Sequence, residues 1–284
     1  MDLRFTDEER AFRQEVRDWI DANLPADTRE RLAAGRTPTK QMQVDWQKKL
    51  NAKGWCVPHW PAEWGGQKDW SAIKRFILLE ELQGTPAPIP LGFNCNMLGP
   101  VLIAFGTEEQ KKFFLPKLAN LDLWFCQGFS EPGAGSDLAS VRTKARLEGD
   151  EWVVNGQKIW TSLAHISDWI FVVSRSEEGS KGPKGLTFLM MEIDQPGIEI
   201  RPIKQINGDA EFNETFFTDA KCPADSLIGA VGEGWKIAMG LLAFERGVST
   251  LGQQMGFRNE LDEVIAAAKA TGAAKDPLIR QRIA

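Results

Sequence analysis

The stretch WFCQGFSEPGAGSD (residues 124–137) runs through a β-like segment into NGQKIWTS (residues 155–162), and the reading of these two pieces decides the fold. The first sets Pro132, Gly133 and Gly135 among Ser130, Glu131, Ser136 and Asp137. Such a loop has little side-chain bulk, so a ligand can come close to its backbone N–H groups and hydroxyls. The second carries the Asn-Gly pair of a hairpin and ends on Trp160, Thr161 and Ser162, an aromatic plate followed by two hydroxyls. Together they suit a flat, polar-edged cofactor with a phosphate tail. GAGS alone is more often an ordinary surface turn.

Outward from this stretch the hydrophobic period changes twice. Across residues 121–222 it is close to two, in runs such as VRTKARLEG, DWIFVVSRS, LTFLMMEID and NETFFTDAKCP, with Gly-Asp, Asn-Gly and Pro-Gly between them. Upstream the helical period holds. Thr6 and Glu9 form a capping box before Phe12, Val16, Trp19 and Ile20, and Pro25 stops that pattern. A polar stretch follows, then helices over about 39–53, 71–83, 95–105 and 108–118, the last opening on a second capping box from Thr107 to Gln110. Residues 54–67, rich in Gly, Pro and Trp, read as a rigid packed loop, with Trp55, Trp60 and Trp64 as core. After Gly234 helices return, over about 235–252 or beyond, 259–271 and from Asp276. Helices, strands, helices is an α+β order. It divides the chain into an N-terminal helical domain (1–120), a middle antiparallel β-barrel-like domain (121–230) and the start of a C-terminal helical bundle (231–284).

Composition narrows the function. A chain of 284 residues can bury a sizeable core, and a net charge of −5 with mixed signs argues against nucleic acid as a partner. No apolar run approaches a membrane span, and the acidic start MDLRFTDEER lacks a signal-peptide layout. Cys56, Cys95, Cys126 and Cys222 form no CxxC pair, which points to free thiols in a reducing, cytoplasmic compartment. With only His59 and His165, a histidine metal site or a Ser-His triad is not expected.

The sharpest single residue is Glu245. Its helical neighbours Leu241, Leu242, Val248 and Ser249 include no base, and Arg246 points about 100° away around the helix. A carboxylate on an apolar stripe is costly unless it is used or paired from another element. Desolvation would make it a stronger base once an acyl chain displaces water. The residues leave both readings open.

QGFSEPGAGSD followed by NGQKIWTS closely resembles the acyl-CoA dehydrogenase family, and the likeness extends to GTEEQKKFFLPKLAN (residues 106–120) and GEGWKIAMGLLAFERG (residues 232–247). Among its members the large subunits of pimeloyl-CoA-type and related bacterial dehydrogenases look most similar. The resemblance implies FAD as cofactor, with Gln127 and Ser130 at the flavin ring, Ser136 at the pyrophosphate, Trp160 as the aromatic wall and Ser162 facing N5. It implies Glu245 as catalytic base and Arg246 as a substrate-side residue, for which a structural salt bridge reads equally well. The backbone N–H of Glu245 and a ribityl hydroxyl would polarise the thioester. The implied reaction is α,β-dehydrogenation of an acyl-CoA to the trans-2-enoyl-CoA, as in fatty acid β-oxidation, with electrons passed to an electron-transfer flavoprotein. A homo- or hetero-oligomer with another such subunit is also implied. In relatives the C-terminal bundle continues past the point matching Ala284, so a truncated chain is expected. Two other readings remain: a flavin oxidase or monooxygenase on this fold, and a non-catalytic partner subunit.

Overall fold

The computed structural model describes residues 4–284, apart from the side chains of residues 246–253. Helix α1 (Asp7–Asn23) opens on the expected capping box, with Glu9 N donating to Thr6 Oγ1 at 3.2 Å and Thr6 N to Glu9 Oε2 at 2.8 Å. Its buried face of Phe12, Val16 and Ile20 belongs to the main core, and the helix packs on α4 (Ala72–Gly84). Pro25 ends α1 as read, yet it also caps α2 (Ala26–Ala33), so the polar stretch after it is helical. A proline's fixed φ suits that entry position and costs no N–H there. Helices α3 (Lys40–Ala52), α5 (Gly99–Phe105) and α6 (Glu108–Asn120) complete the N-terminal layer.

The expected helix over 95–105 begins instead as a π-helical turn, Phe93–Leu98, which runs directly into α5. Buried Asn94 fixes it: its amide donates to Leu123 O at 2.7 Å and accepts from Phe125 N at 3.1 Å. The helical layer is thereby bonded to strand β1 (Phe125–Gly128). Against the same turn, a Cβ on Gly99 would come within 2.1 Å of the Trp60 ring. That indole cannot retreat, being 3% exposed and bonded through Nε1 to Cys95 O at 2.9 Å. Gly99→Ala is therefore expected to cost about 1–3 kcal/mol through overpacking, read as a lowered thermal midpoint. An unchanged midpoint would show that the indole can move.

The remaining strands are β2 (Lys144–Glu148), β3 (Glu151–Lys158), β4 (Trp169–Arg175), β5 (Leu186–Glu192), β6 (Ile198–Ile203), β7 (Phe212–Pro223) and β8 (Leu227–Ile228). They lie in the order β6-β7-β3-β2-β4-β5-β8, with β1 beside β4. The sheet differs from the antiparallel barrel expected. It does not close, and β1 runs parallel to β4, as does the single pairing of Lys144 with Arg175. A long crossover separates β1 from β4, and a connection of that kind yields a parallel pair. Asn155-Gly156 is also not a hairpin turn. The hairpin joins β2 to β3 at Gly149-Asp150, and Asn155-Gly156 marks a bulge inside β3 where its register with β7 shifts. Asn155 and Asp219 exchange hydrogen bonds across that bulge, both at 2.9 Å.

Helix α7 (Gly234–Ala270) follows the sheet and α8 (Pro277–Ile283) ends the chain. The break expected between 252 and 259 is absent. A helical glycine such as Gly256 costs about 1 kcal/mol, and the Arg258–Asp262 pair at 3.0 Å supports the next turn. The outer half of α7 exposes Phe257, Leu261 and Val264. No helix among the described residues is long and apolar enough to cross a membrane.

Candidate active site

Two cavities meet at one carboxylate. A cleft of about 430 Å³ lies between the sheet and α7, lined on the sheet side by Gln127, Ser130, Ser136, Trp160 and Ser162. A larger, mostly apolar cavity of about 660 Å³ lies within the helical layer, between α4, the loop after α3 and the π-helical turn. Glu245 lines both. It is half-buried, and its side chain makes no hydrogen bond or ion pair among the described residues. The six residues drawn from three distant stretches of sequence therefore converge on one cleft. The seventh, Arg246, has a side chain outside the described residues.

The loop that brings Ser130, Gly135 and Ser136 to the cleft is locked twice. Glu131 and Ala134 exchange backbone bonds at 2.8 and 3.0 Å, closing a tight turn over Pro132-Gly133. A Cβ on Gly133 or Gly135 would meet no protein atom within 4 Å, so the protein's own packing does not demand these glycines. Close approach of a ligand to the backbone would. Under the turn, fully buried Lys158 donates to Phe129 O at 2.9 Å and to Glu131 Oε1 at 2.8 Å. Glu131 also accepts from the backbone N–H groups of Arg142 at 2.7 Å and Thr143 at 2.9 Å. Burial pushes the Glu131 carboxyl up, but the Lys158 charge and hydrogen bond, with Thr143 and Arg142, outweigh it and hold it below the usual carboxylate range. Burial brings Lys158 down to about 8, against the pull of Glu131. Both groups are thus charged at neutral pH. Ile159 N donates to Ser130 O at 2.9 Å, which joins the loop directly to the strand end.

That strand end is bent. Trp160 has φ 60° and Leu163 φ 62°, left-handed values that a bulky side chain adopts only under constraint. The constraint comes from buried Asn213, whose backbone exchanges bonds with Thr161 at 2.9 and 3.1 Å and whose amide donates to Thr161 O at 2.9 Å. The bend throws the Trp160 indole outward, 57% exposed, edge-on to Phe212. Alternation turns the Thr161 hydroxyl inward to Thr215 at 3.2 Å and leaves Ser162 on the cleft.

Sequence reasoning missed the opposite wall, formed by Phe93, Trp235, Met239 and Leu242. The last three share a helical stripe with Glu245 at spacings of three, six and ten residues, which was a usable signal. The expectation for the Glu245 backbone fails. Its N–H lies inside α7, where the helix pattern commits it to the Leu241 carbonyl, so it is not free to polarise a thioester. The 206–209 turn is exposed and lines neither cavity.

The family models described as Acyl-CoA dehydrogenase, N-terminal domain, and Acyl-CoA dehydrogenase, middle domain, match residues 6–122 and 126–220. The chain belongs to the acyl-CoA dehydrogenase family. It is 48% identical over 277 residues to acyl-CoA dehydrogenase IpdE1 of Mycobacterium tuberculosis, covering 96% of this chain and 72% of that protein. The Mycolicibacterium smegmatis IpdE1 is 47% identical, covering 96% and 73%. In three dimensions the Tcur3481-Tcur3483 steroid ACAD superposes with TM-score 0.86 and 32% identity, over 100% of this chain and 72% of that one. Members of this family are oxidoreductases, and they generally bind FAD. The cleft fits that group: polar edges at Gln127, Ser130 and Ser162, an exposed indole, and a glycine turn with open space above it.

Proposed function

We propose that this acyl-CoA dehydrogenase removes hydrogen across the α,β-bond of an acyl-CoA thioester, giving the trans-2-enoyl-CoA. The observation that carries the reading is the position of Glu245 at the mouth shared by the polar cleft and the apolar cavity. FAD in the cleft would supply the hydride acceptor. Gln127, Ser130 and Ser162 would hydrogen-bond its ring, Ser136 its pyrophosphate, and Trp160 would cover one edge. The acyl group would enter the apolar cavity, with its α-carbon beside Glu245, whose carboxylate takes the α-proton. Apolar neighbours Leu241, Leu242 and Met239 keep water from that carboxylate once the acyl group is seated.

An electron-transfer flavoprotein is the proposed acceptor, and a second acyl-CoA dehydrogenase subunit the proposed partner. Two relatives support the latter: Tcur3481-Tcur3483, and the ChsE4-ChsE5 complex from Mycobacterium tuberculosis, which is 33% identical with TM-score 0.74 over 86% of this chain and 61% of that one. The exposed Phe257, Leu261 and Val264 on α7 offer an apolar face for such a subunit. Anaerobic titration of the full-length holoprotein with a panel of acyl-CoAs, steroid-derived thioesters included, tests the reaction. Bleaching of the visible flavin band is expected, with slow reoxidation in air. Fast reoxidation by oxygen would indicate an oxidase, and no bleaching with any thioester would remove the reading.

A further inference from the structure

The apolar cavity contains a cation that its surroundings do not explain. Arg75 lies on the stripe of α4 that carries Ala72, Phe76, Leu79 and Leu82 into the cavity. It has no carboxylate partner among the described residues. Its one hydrogen bond is long, to Gln67 O at 3.4 Å, and its Nε is buried with no partner. A guanidinium offers five donors and is costly to leave underbonded in an apolar setting. His59 lines the same cavity, its Nε2 3.1 Å from Cys95 O. Enclosure by the cavity wall lowers the His59 pKa, the Cys95 carbonyl opposes this, and the Arg75 charge lowers it further. The imidazole is thus kept neutral beside a fixed positive charge. Apart from Arg75, the only charged side chain lining the cavity, among the described residues, is Glu245.

Resting on the reading of this cavity as the acyl site, we infer that Arg75 binds an oxygen acceptor, a carbonyl or a carboxylate, carried on the remote part of the acyl group. A plain hydrocarbon tail would strip water from the guanidinium and return no bond. An acyl group with an oxygen function there would satisfy it, and a carboxylate could do so in the bidentate geometry that suits arginine. Sites built around such donors discriminate strongly against analogues lacking the acceptor. Arg75 is therefore a specificity determinant and takes no part in the chemical step.

The test compares thioesters of equal length on the full-length holoprotein with any subunit that copurifies. Pimeloyl-CoA and a terminal-keto acyl-CoA are each set against heptanoyl-CoA, and the set is repeated one size shorter and longer. The oxygenated substrate is expected to have kcat/KM about 10- to 100-fold above its hydrocarbon counterpart, the usual scale of a hydrogen bond to a charged group. In Arg75→Met that ratio is expected to fall to near one, with heptanoyl-CoA turnover kept. Whichever arm collapses further, carboxylate or ketone, identifies the acceptor. Arg75→Lys, which keeps the charge and loses the fork, should retain part of the preference and serves if the Met variant does not fold. A wild-type ratio near one, or an Arg75 variant that lowers all substrates equally, overturns the inference while leaving the dehydrogenase reading intact. A holoprotein that no thioester bleaches overturns both.

Discussion

Glu245→Gln is expected to lower the rate of anaerobic flavin reduction by acyl-CoA about 10²- to 10⁴-fold, the usual contribution of a positioned general base. The amide keeps the size and polarity of the carboxylate, so substrate affinity should change little. The fold should not suffer either. Glu245 has no side-chain partner among the described residues, so its neutralisation strands none of their charges, and a stability change within about 0.5 kcal/mol is expected. Rapid-mixing reduction measured beside a thermal melt separates the two effects. A variant that still reduces its flavin at the wild-type rate would place the base on another residue. Loss of flavin in that variant would be equally informative, since a residue lining both cavities could be holding the cofactor instead.

What the chain announced in advance was local. Thr6 and Thr107 each begin a helix with the reciprocal side-chain bonds that their spacing promised. Gln127, Ser130, Ser136, Trp160 and Ser162 share one cleft because a loop of small polar residues and a strand end lie side by side. Features set by distant partners were not legible. Asn155-Gly156 has the composition of a tight turn, but β7 captures it through Asp219 and turns it into a bulge. The left-handed bend at Trp160 depends on Asn213, more than fifty residues away, which no periodicity could indicate. Arg75 carries no signal of its own in the sequence, and it faces an apolar cavity only once α4 is packed. Propensity and caps act within one element, whereas clefts arise between elements.

The ion pair beneath the glycine turn should show the largest effect on stability. Lys158→Met is expected to cost about 3–5 kcal/mol, since it leaves the Glu131 carboxylate buried without its cation. Lys158→Met combined with Glu131→Gln should recover part of this, because glutamine can still accept from the Arg142 or Thr143 N–H. The pH dependence gives the sign. In the native protein the Glu131 pKa lies below its ordinary 4.5, so its contribution is present above that value and lost as pH falls through the lower, folded one. Lys158 falls from 10.5 to about 8, so between those values the unfolded chain holds the extra proton and stability rises with pH as far as this group is concerned. In Lys158→Met the logic at Glu131 reverses. Burial without a cation raises its folded pKa above the unfolded one, and acid then relieves the strain by protonating it. Urea unfolding at pH 7 and pH 5 should therefore show the gap between wild type and Lys158→Met narrowing in acid. A gap that stays constant would mean that Lys158 acts only by filling space. The same variant should release flavin more readily at pH 7, because Lys158 also holds Phe129 O, next to the Ser130 that faces the cleft. Stability and cofactor retention would then weaken together, as expected if one buried charge organises both segments of the site.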